Sequence, residues 1–219
     1  MGSLQTLAFL AGLGTADPSA ADLAAPVDLS NVNAVVVTGG GLSVAATTDP
    51  GRPLLATLDE SEDCTATLRV EGRVLTVDVR EESSVWPRDC RPTLSLNLRP
   101  GADLLLRPAA VSATLNGRFG AVAIEVQAAE LSLAGQARTL DLSAKALQAT
   151  LRADDPGQAI RIQADAAELD LGFRRGTPVS WDVEAKVSVI DSTIPAAAAD
   201  RPLVSIKGEF VRARIGYAD

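Results

Sequence analysis

Histidine is absent from the 219 residues, methionine occurs once, cysteine twice, and aromatic residues make up only 3% of the chain. Each shortage excludes something. Without histidine no Ser–His or Cys–His pair can form, and most transition-metal sites lose their commonest ligand. The two cysteines are far apart in sequence and are not a C-x-x-C redox pair. With so few aromatics in a chain that is 47% apolar, the core must be filled by Ala, Val, Leu and Ile. Such residues suit thin, regular layers better than a bulky globular centre. Cationic clusters are missing too, and the net charge is −8. That argues against nucleic acid and against an anionic membrane surface, both of which need grouped Lys and Arg. The apolar run Leu7 to Leu13 is too short to span a bilayer.

That run is followed by Ser19-Ala20-Ala21, which resembles a small-residue cleavage site, although no Lys or Arg precedes it. Residues 1–26 are therefore either a signal-peptide remnant or a short N-terminal helix. Residues 27–219 read as a single all-β domain, irregular over 27–103 and regular over 104–215.

What the chain has in abundance is a repeated phrase. VAIEVQAAELSL (122–133) and IRIQADAAELDL (160–171) nearly match. LLLRPAAVSATL (104–115), LDLSAKALQATL (140–151), WDVEAKVSVIDS (181–192) and VSIKGEFVRARI (204–215) follow the same pattern. Their starts lie 18, 18, 20, 21 and 23 residues apart. Positions 1, 3, 5 and 7 of each unit are apolar or small, and alternation resumes at 8, 10 and 12. Alternation is the mark of a strand with one buried face. Apolar neighbours at 7 and 8 predict a corner with both residues inward, so each unit reads as one turn of a β-solenoid.

In a parallel stack, equivalent positions lie about 4.8 Å apart. Taken in chain order, position 6 forms the column Gln127, Lys145, Asp165, Lys186, Glu209, and position 2 gives Asp141, Arg161, Asp182. Their alternating signs favour a parallel stack over an antiparallel meander, because opposite charges attract across neighbouring strands. Position 7 (Ala110, Ala128, Ala146, Ala166, Val187, Phe210) is expected to line a tight inner corner, and Phe210 with Tyr217 to cap the C-terminal end.

Upstream, residues 34–46 (AVVVTGGGLSVAA) are two strand-like runs around a triple glycine. No Lys-Ser/Thr pair follows, so Gly39-Gly40-Gly41 is a bend and not a phosphate loop. Residues 65–79 predict a hairpin turning at Glu71-Gly72. Cys64 and Cys90 would then sit at the same end of neighbouring strands. A bridge closing that loop would stabilise by about 3 kcal/mol in the chain-entropy model, and would place the protein in an oxidising, exported location.

A search for chemistry finds no catalytic constellation. Glu168 and Asp170, with Glu130 in the same column as Glu168, alternate with Lys, Arg, Gln and Ser on a solvated wall. A glycosidase instead needs two carboxylates converging across a cleft. Asp154-Asp155-Pro156-Gly157 reads as a β-turn, since calcium needs six to eight oxygens. Arg174, Arg175 and Trp181 are the only candidates for a surface that recognises a sugar or an anion. No metal or cofactor is expected.

The run NAVVVTGGGLSVAATTD, then EGRVLTVDV, a strand closed by Pro-Gly, and units of L-x-L-x-x-x-A resemble the bacterial "putative adhesin" head-domain family over residues 31–215. The resemblance implies an exported, single-stranded, right-handed parallel β-helix with no catalytic site. The chain departs from the family pattern in using Asn-Gly, Ala-Gly and Pro-Gly turns instead of Ser-Gly-Ala steps. The expectation is a non-enzymatic exported protein, in the periplasm or at the cell surface, binding a protein or glycan partner of the envelope. A carbohydrate-binding or carbohydrate-active β-helix is the alternative, and a lipid-handling envelope scaffold the third. Neither the partner nor the oligomeric state is legible.

Overall fold

The computed structural model describes residues 25–59, 64–81, 91–154, 159–196 and 203–218. They contain strands, turns and bends and no helix, and the strands join one continuous sheet. The chain is all-β. Residues 1–24, Cys90 and Asp155-Pro156-Gly157 lie outside the described residues, and with them the leader, the cysteine bridge and the acidic turn.

The second half carries the repeats. β8 (Asp103–Pro108) is followed by β9 (Ala110–Ala153), a continuous run of 44 residues, then β10 (Ala159–Arg174), β11 (Trp181–Ser192) and β12 (Val204–Ala218). β10 lies parallel to β9, with Ile160 opposite Leu140 and Leu171 opposite Leu151. Lys145 and Asp165 therefore occupy equivalent places on parallel neighbours, as the charge columns predicted.

Each unit has two arms. Ile160, Ile162 and Ala164 are buried on the first, Ala167, Leu169 and Leu171 on the second, and Asp165 and Ala166 between them are exposed. The corner is thus made by two outward residues, at positions 6 and 7, and not by two inward ones at 7 and 8. Two inward neighbours would compete for the same narrow interior, whereas two outward neighbours share solvent. The alanine column expected inside is on the surface.

The stack also departs from chain order. β12 pairs in parallel with β10 on one side and β11 on the other, so the last segment is inserted and β11 is outermost. Composition explains the exchange. The inward places of β12 hold Val204, Ile206, Val211, Ala213 and Ile215, all buried. Those of β11 include Ser188 and Ser192, which tolerate an edge. Position 6 accordingly runs Lys145, Asp165, Glu209, Lys186, and Phe210 and Tyr217 do not form a terminal cap.

A similar insertion occurs upstream. β2 (Ala34–Gly39) and β3 (Leu42–Thr47) pair in parallel with β8 and β9 on one side, and with β6 (Val74–Glu81) and β7 (Thr93–Asn97) on the other. Val35 and Leu42 fall opposite Leu104 and Val111. Residues 35–46 are therefore a further twelve-residue unit, and the regular pattern begins well before residue 104. Gly39 explains the triple glycine: its φ is +102°, and an added Cβ would lie 2.0 Å from the Val79 carbonyl oxygen. β6 and β7, which pair with β2 and β3, are the two arms of another unit.

This N-terminal end is closed by antiparallel strands. β5 (Cys64–Glu71) pairs with β6, β4 (Leu55–Asp59) with β7, and β1 (Val27–Asp28) with β4. Leu29, Val32, Leu58 and Leu98 are buried beneath them. The β5–β6 hairpin forms as expected, but Glu71 pairs with Val74, so its turn is Gly72-Arg73. Cys64 is buried at the start of β5.

Candidate functional site

The outward corner residues form a strip across the stack. In spatial order position 7 reads Ala110, Ala128, Ala146, Ala166, Phe210, Val187. Alanine places only a methyl above the backbone, so four units give a low apolar floor. The last two rise above it: Phe210 is 58% exposed and Val187 54%, and Val189 beside them is 63% exposed. The floor and its flanks border an open surface hollow of about 940 Å³. Glu130, Gln148, Glu168 and Arg212 rim it, with Glu168 between Gln148 and Arg212 in the strand register. An apolar floor with a mixed-charge rim has the composition common to protein interaction surfaces. Sequence reasoning missed it by turning the column inward. The signal was the swelling to Val187 and Phe210, since a phenylalanine cannot occupy a corner built for alanine.

The first arms carry a second hollow of about 1040 Å³ with a different character. Arg107 donates to both Glu125 oxygens at 3.0 and 2.9 Å, and Arg161 donates to Asp141 at 3.1 Å. Farther along, Lys207 meets Glu184 at 2.7 Å and Lys186 pairs with Glu209. These contacts hold the Arg107 and Lys207 pKa values above their ordinary ranges and the Glu184 pKa below its own. In each case the side-chain hydrogen bond is the larger cause, and the Coulombic attraction adds to it.

The acids singled out in the sequence do not converge. Asp170 accepts from Arg152 at 2.8 and 3.2 Å. That hydrogen bond is the largest cause and lowers its pKa, burial opposes it, and the charges of Arg152 and Arg214 lower it further. A general acid needs the opposite shift.

Trp181 fills position 1 of its unit. It is half-buried, and its indole Nε1 donates to the Ile194 carbonyl at 3.0 Å. Arg174 and Arg175 are exposed. Arg174 lies opposite Ala218, whereas Trp181 lies opposite Val204 on the other side of β12. The strand register does not bring the three together.

One polar centre had not been anticipated. Asn97 is buried, and its Nδ2 lies 3.0 Å from each of the Asp49, Arg52 and Pro53 carbonyls. Its Oδ1 accepts from the Asp49 N–H at 3.0 Å and from Thr47 Oγ1 at 2.9 Å. The side chain clamps the 48–53 loop. Its trace in the sequence is the polar residue placed between Leu96 and Leu98 in an otherwise apolar strand end.

No helix among the described residues is long and apolar enough to cross a membrane. No family model and no curated protein matches the sequence. Among solved structures, the chain is similar to a "putative cell adhesion protein" from Clostridium sporogenes, with a TM-score of 0.46, 10% identity, and 88% of this chain and 96% of that one covered. It is also similar to a "putative adhesin" from Bacteroides fragilis, with a TM-score of 0.41, 8% identity, and 87% and 94% covered.

Proposed function

We propose that the chain is a non-enzymatic, exported binding protein, in which a right-handed parallel β-helix presents its outer corner to a protein or glycan partner of the bacterial envelope. The observation that carries this reading is the exposed strip Ala128–Ala146–Ala166–Phe210–Val187. Exposed apolar residues gathered on one strip and rimmed by polar ones are a feature of protein interaction sites. Parallel neighbours in one-to-one register support the helical winding, and parallel crossovers are almost always right-handed. The ion-paired acids support a non-catalytic role, because a salt-bridged carboxylate with a lowered pKa is a poor proton donor.

A bridge between Cys64 and Cys90 belongs to the same reading, since exported proteins retain disulfides and cytosolic ones do not. The glycan alternative is weaker on the polar hollow. Its lining contains no aromatic residue on which a sugar ring could stack.

The test is retention of the purified protein on arrayed glycans and on immobilised envelope proteins. Ala146→Glu and Ala166→Lys should abolish retention without moving the unfolding midpoint, because both alanines are exposed. Retention unchanged in both variants would place binding elsewhere and remove the groove from the reading.

A further inference from the structure

The stack has two edges left open in complementary ways. β11 pairs only with β12, and β5 only with β6, among the described residues. Unpaired strand edges offer a ready row of N–H and C=O groups to another strand. At the β11 end the inward residues Trp181, Val183 and Ala185 are only half-buried, because nothing described lies over them. At the β5 end Val70 is 41% exposed and Leu68 half-buried, although both are on the inward face of their arm.

Strand direction makes the ends compatible. β5 is antiparallel to the stacked units. A second copy continuing the stack would therefore lay its β5 antiparallel on β11, the ordinary pairing of exposed edges.

Register then decides the contacts. Val70, Leu68 and Ala66 lie opposite Leu75, Val77 and Val79, which are positions 1, 3 and 5 of their unit. Trp181, Val183 and Ala185 hold the same positions in β11. Continuing the stack therefore sets Val70 on Trp181, Leu68 on Val183 and Ala66 on Ala185. On the outward side Arg69 falls opposite Asp182, Thr67 opposite Glu184 and Thr65 opposite Lys186. Arg69 is exposed and makes no ion pair among the described residues. Within this first arm every inward pair is apolar and no like charges meet; the junction is confined to that arm, because β1 already covers Leu55 and Ala56 of β4. Self-pairing of the Trp181–Ala185 arm about its centre would instead oppose Asp182 and Glu184.

We propose that the chain associates head to tail with further copies of itself, the β11 edge of one copy pairing antiparallel with the β5 edge of the next. Such an interface is heterologous, and continuing the stack along its axis gives an open filament, not a closed dimer.

The experiment is sedimentation velocity with light scattering on the full chain, up to its highest soluble concentration. The expected mass rises through successive multiples of the monomer and does not stop at two. Asp182→Arg and Arg69→Asp each place like charges across the interface, and each should weaken association by about tenfold. Mixed in equal amounts, the two variants should recover association by alternating, because every junction between unlike variants pairs opposite charges. Circular dichroism identifies any variant that fails to fold, and recovery on mixing cannot come from unfolded protein. A chain that stays monomeric, a mass that stops at the dimer, or folded variants that do not rescue each other on mixing would each overturn the proposal.

Discussion

The two ends of the stack are finished by opposite means. The N-terminal end is covered by three antiparallel strands, buries Leu29, Val32 and Leu58, and ties its loop with the Asn97 clamp. The C-terminal end stops at β11, whose inward residues remain partly exposed. A repeat array buries each unit against its neighbours, so a terminal unit lacks half of its contacts unless something else supplies them. In this protein one end is supplied from within the chain over most of its width, at the cost of irregular sequence, and only its β5 edge stays unpaired among the described residues. The other keeps the repeat and leaves its edge available. Irregularity and openness are alternatives, and the difference should be measurable.

The largest effect is expected at the clamp. Asn97→Asp replaces a donor aimed at three carbonyl oxygens with a buried carboxylate that can only accept. Stranding a buried charge against unpaired acceptors should cost about 3–5 kcal/mol. Urea unfolding of wild type and variant measures it. A loss below about 1 kcal/mol would mean that the 48–53 loop does not hold the closed end.

Next comes the cysteine pair. If Cys64 and Cys90 are bridged, the intact mass falls by two hydrogens, and reductant should lower stability by about 3 kcal/mol. An unchanged mass in oxidising buffer would leave the closed end held by packing and hydrogen bonds alone, and would weaken the exported reading with it.

The comparison is sharpest in a matched pair of core truncations. Leu169→Ala empties a fully enclosed site in the middle of the stack and should cost about 3 kcal/mol. Ile190→Ala removes similar volume at the open end, where the side chain is already partly hydrated, and should cost about 1 kcal/mol. Equal losses would show that the β11 end is covered in solution. A concentration-dependent loss at Ile190 alone would point to cover by a second copy.

How far the sequence could be read follows the same division. The parallel pairing was legible because the apolar alternation lies within each unit and the opposite charges of Lys145 and Asp165, and of Asp141 and Arg161, lie on units that stay neighbours. The alternating column beyond them was not borne out, since the inserted β12 sets Glu209 beside Asp165. The order itself was not legible. Whether β12 enters between β10 and β11 depends on which segment buries the more apolar face, and that comparison is made between segments, not within one. The corner was misread for a related reason. Apolar residues at positions 7 and 8 fix that the alternation reverses, but either facing satisfies the pattern. Only Phe210, too large for a corner lined mostly by alanine, broke the tie. Residues 35–46 were set apart by their glycines, although they obey the twelve-residue pattern. Of the candidate site, the position-7 column was legible but its outward facing was not, and the strand register does not group Arg174 and Trp181, which lie on opposite sides of an inserted strand.

The smallest expected effect concerns acid, and it too separates interior from edge. With no histidine in the chain, no imidazole titrates, and stability should be nearly flat between pH 5 and 7. Asp170 is held below its ordinary pKa of 3.8, chiefly by the Arg152 hydrogen bond. A carboxyl whose folded pKa is depressed contributes stability above its unfolded pKa, and that contribution disappears as pH falls through the folded value. Its loss is therefore expected below about pH 4, not near neutrality. Because the pair is partly exposed, Asp170→Asn should cost no more than about 0.5 kcal/mol at pH 7, and the cost should shrink as acid protonates the carboxylate. Glu184 has the same sign through Lys207, but it lies on the open edge in full contact with solvent. Salt should therefore erase its contribution while leaving more of that from Asp170. Unfolding midpoints of wild type, Asp170→Asn and Glu184→Gln at two ionic strengths decide the point. A Glu184→Gln effect that resists salt as well as Asp170→Asn does would mean that the β11 edge is not open to water.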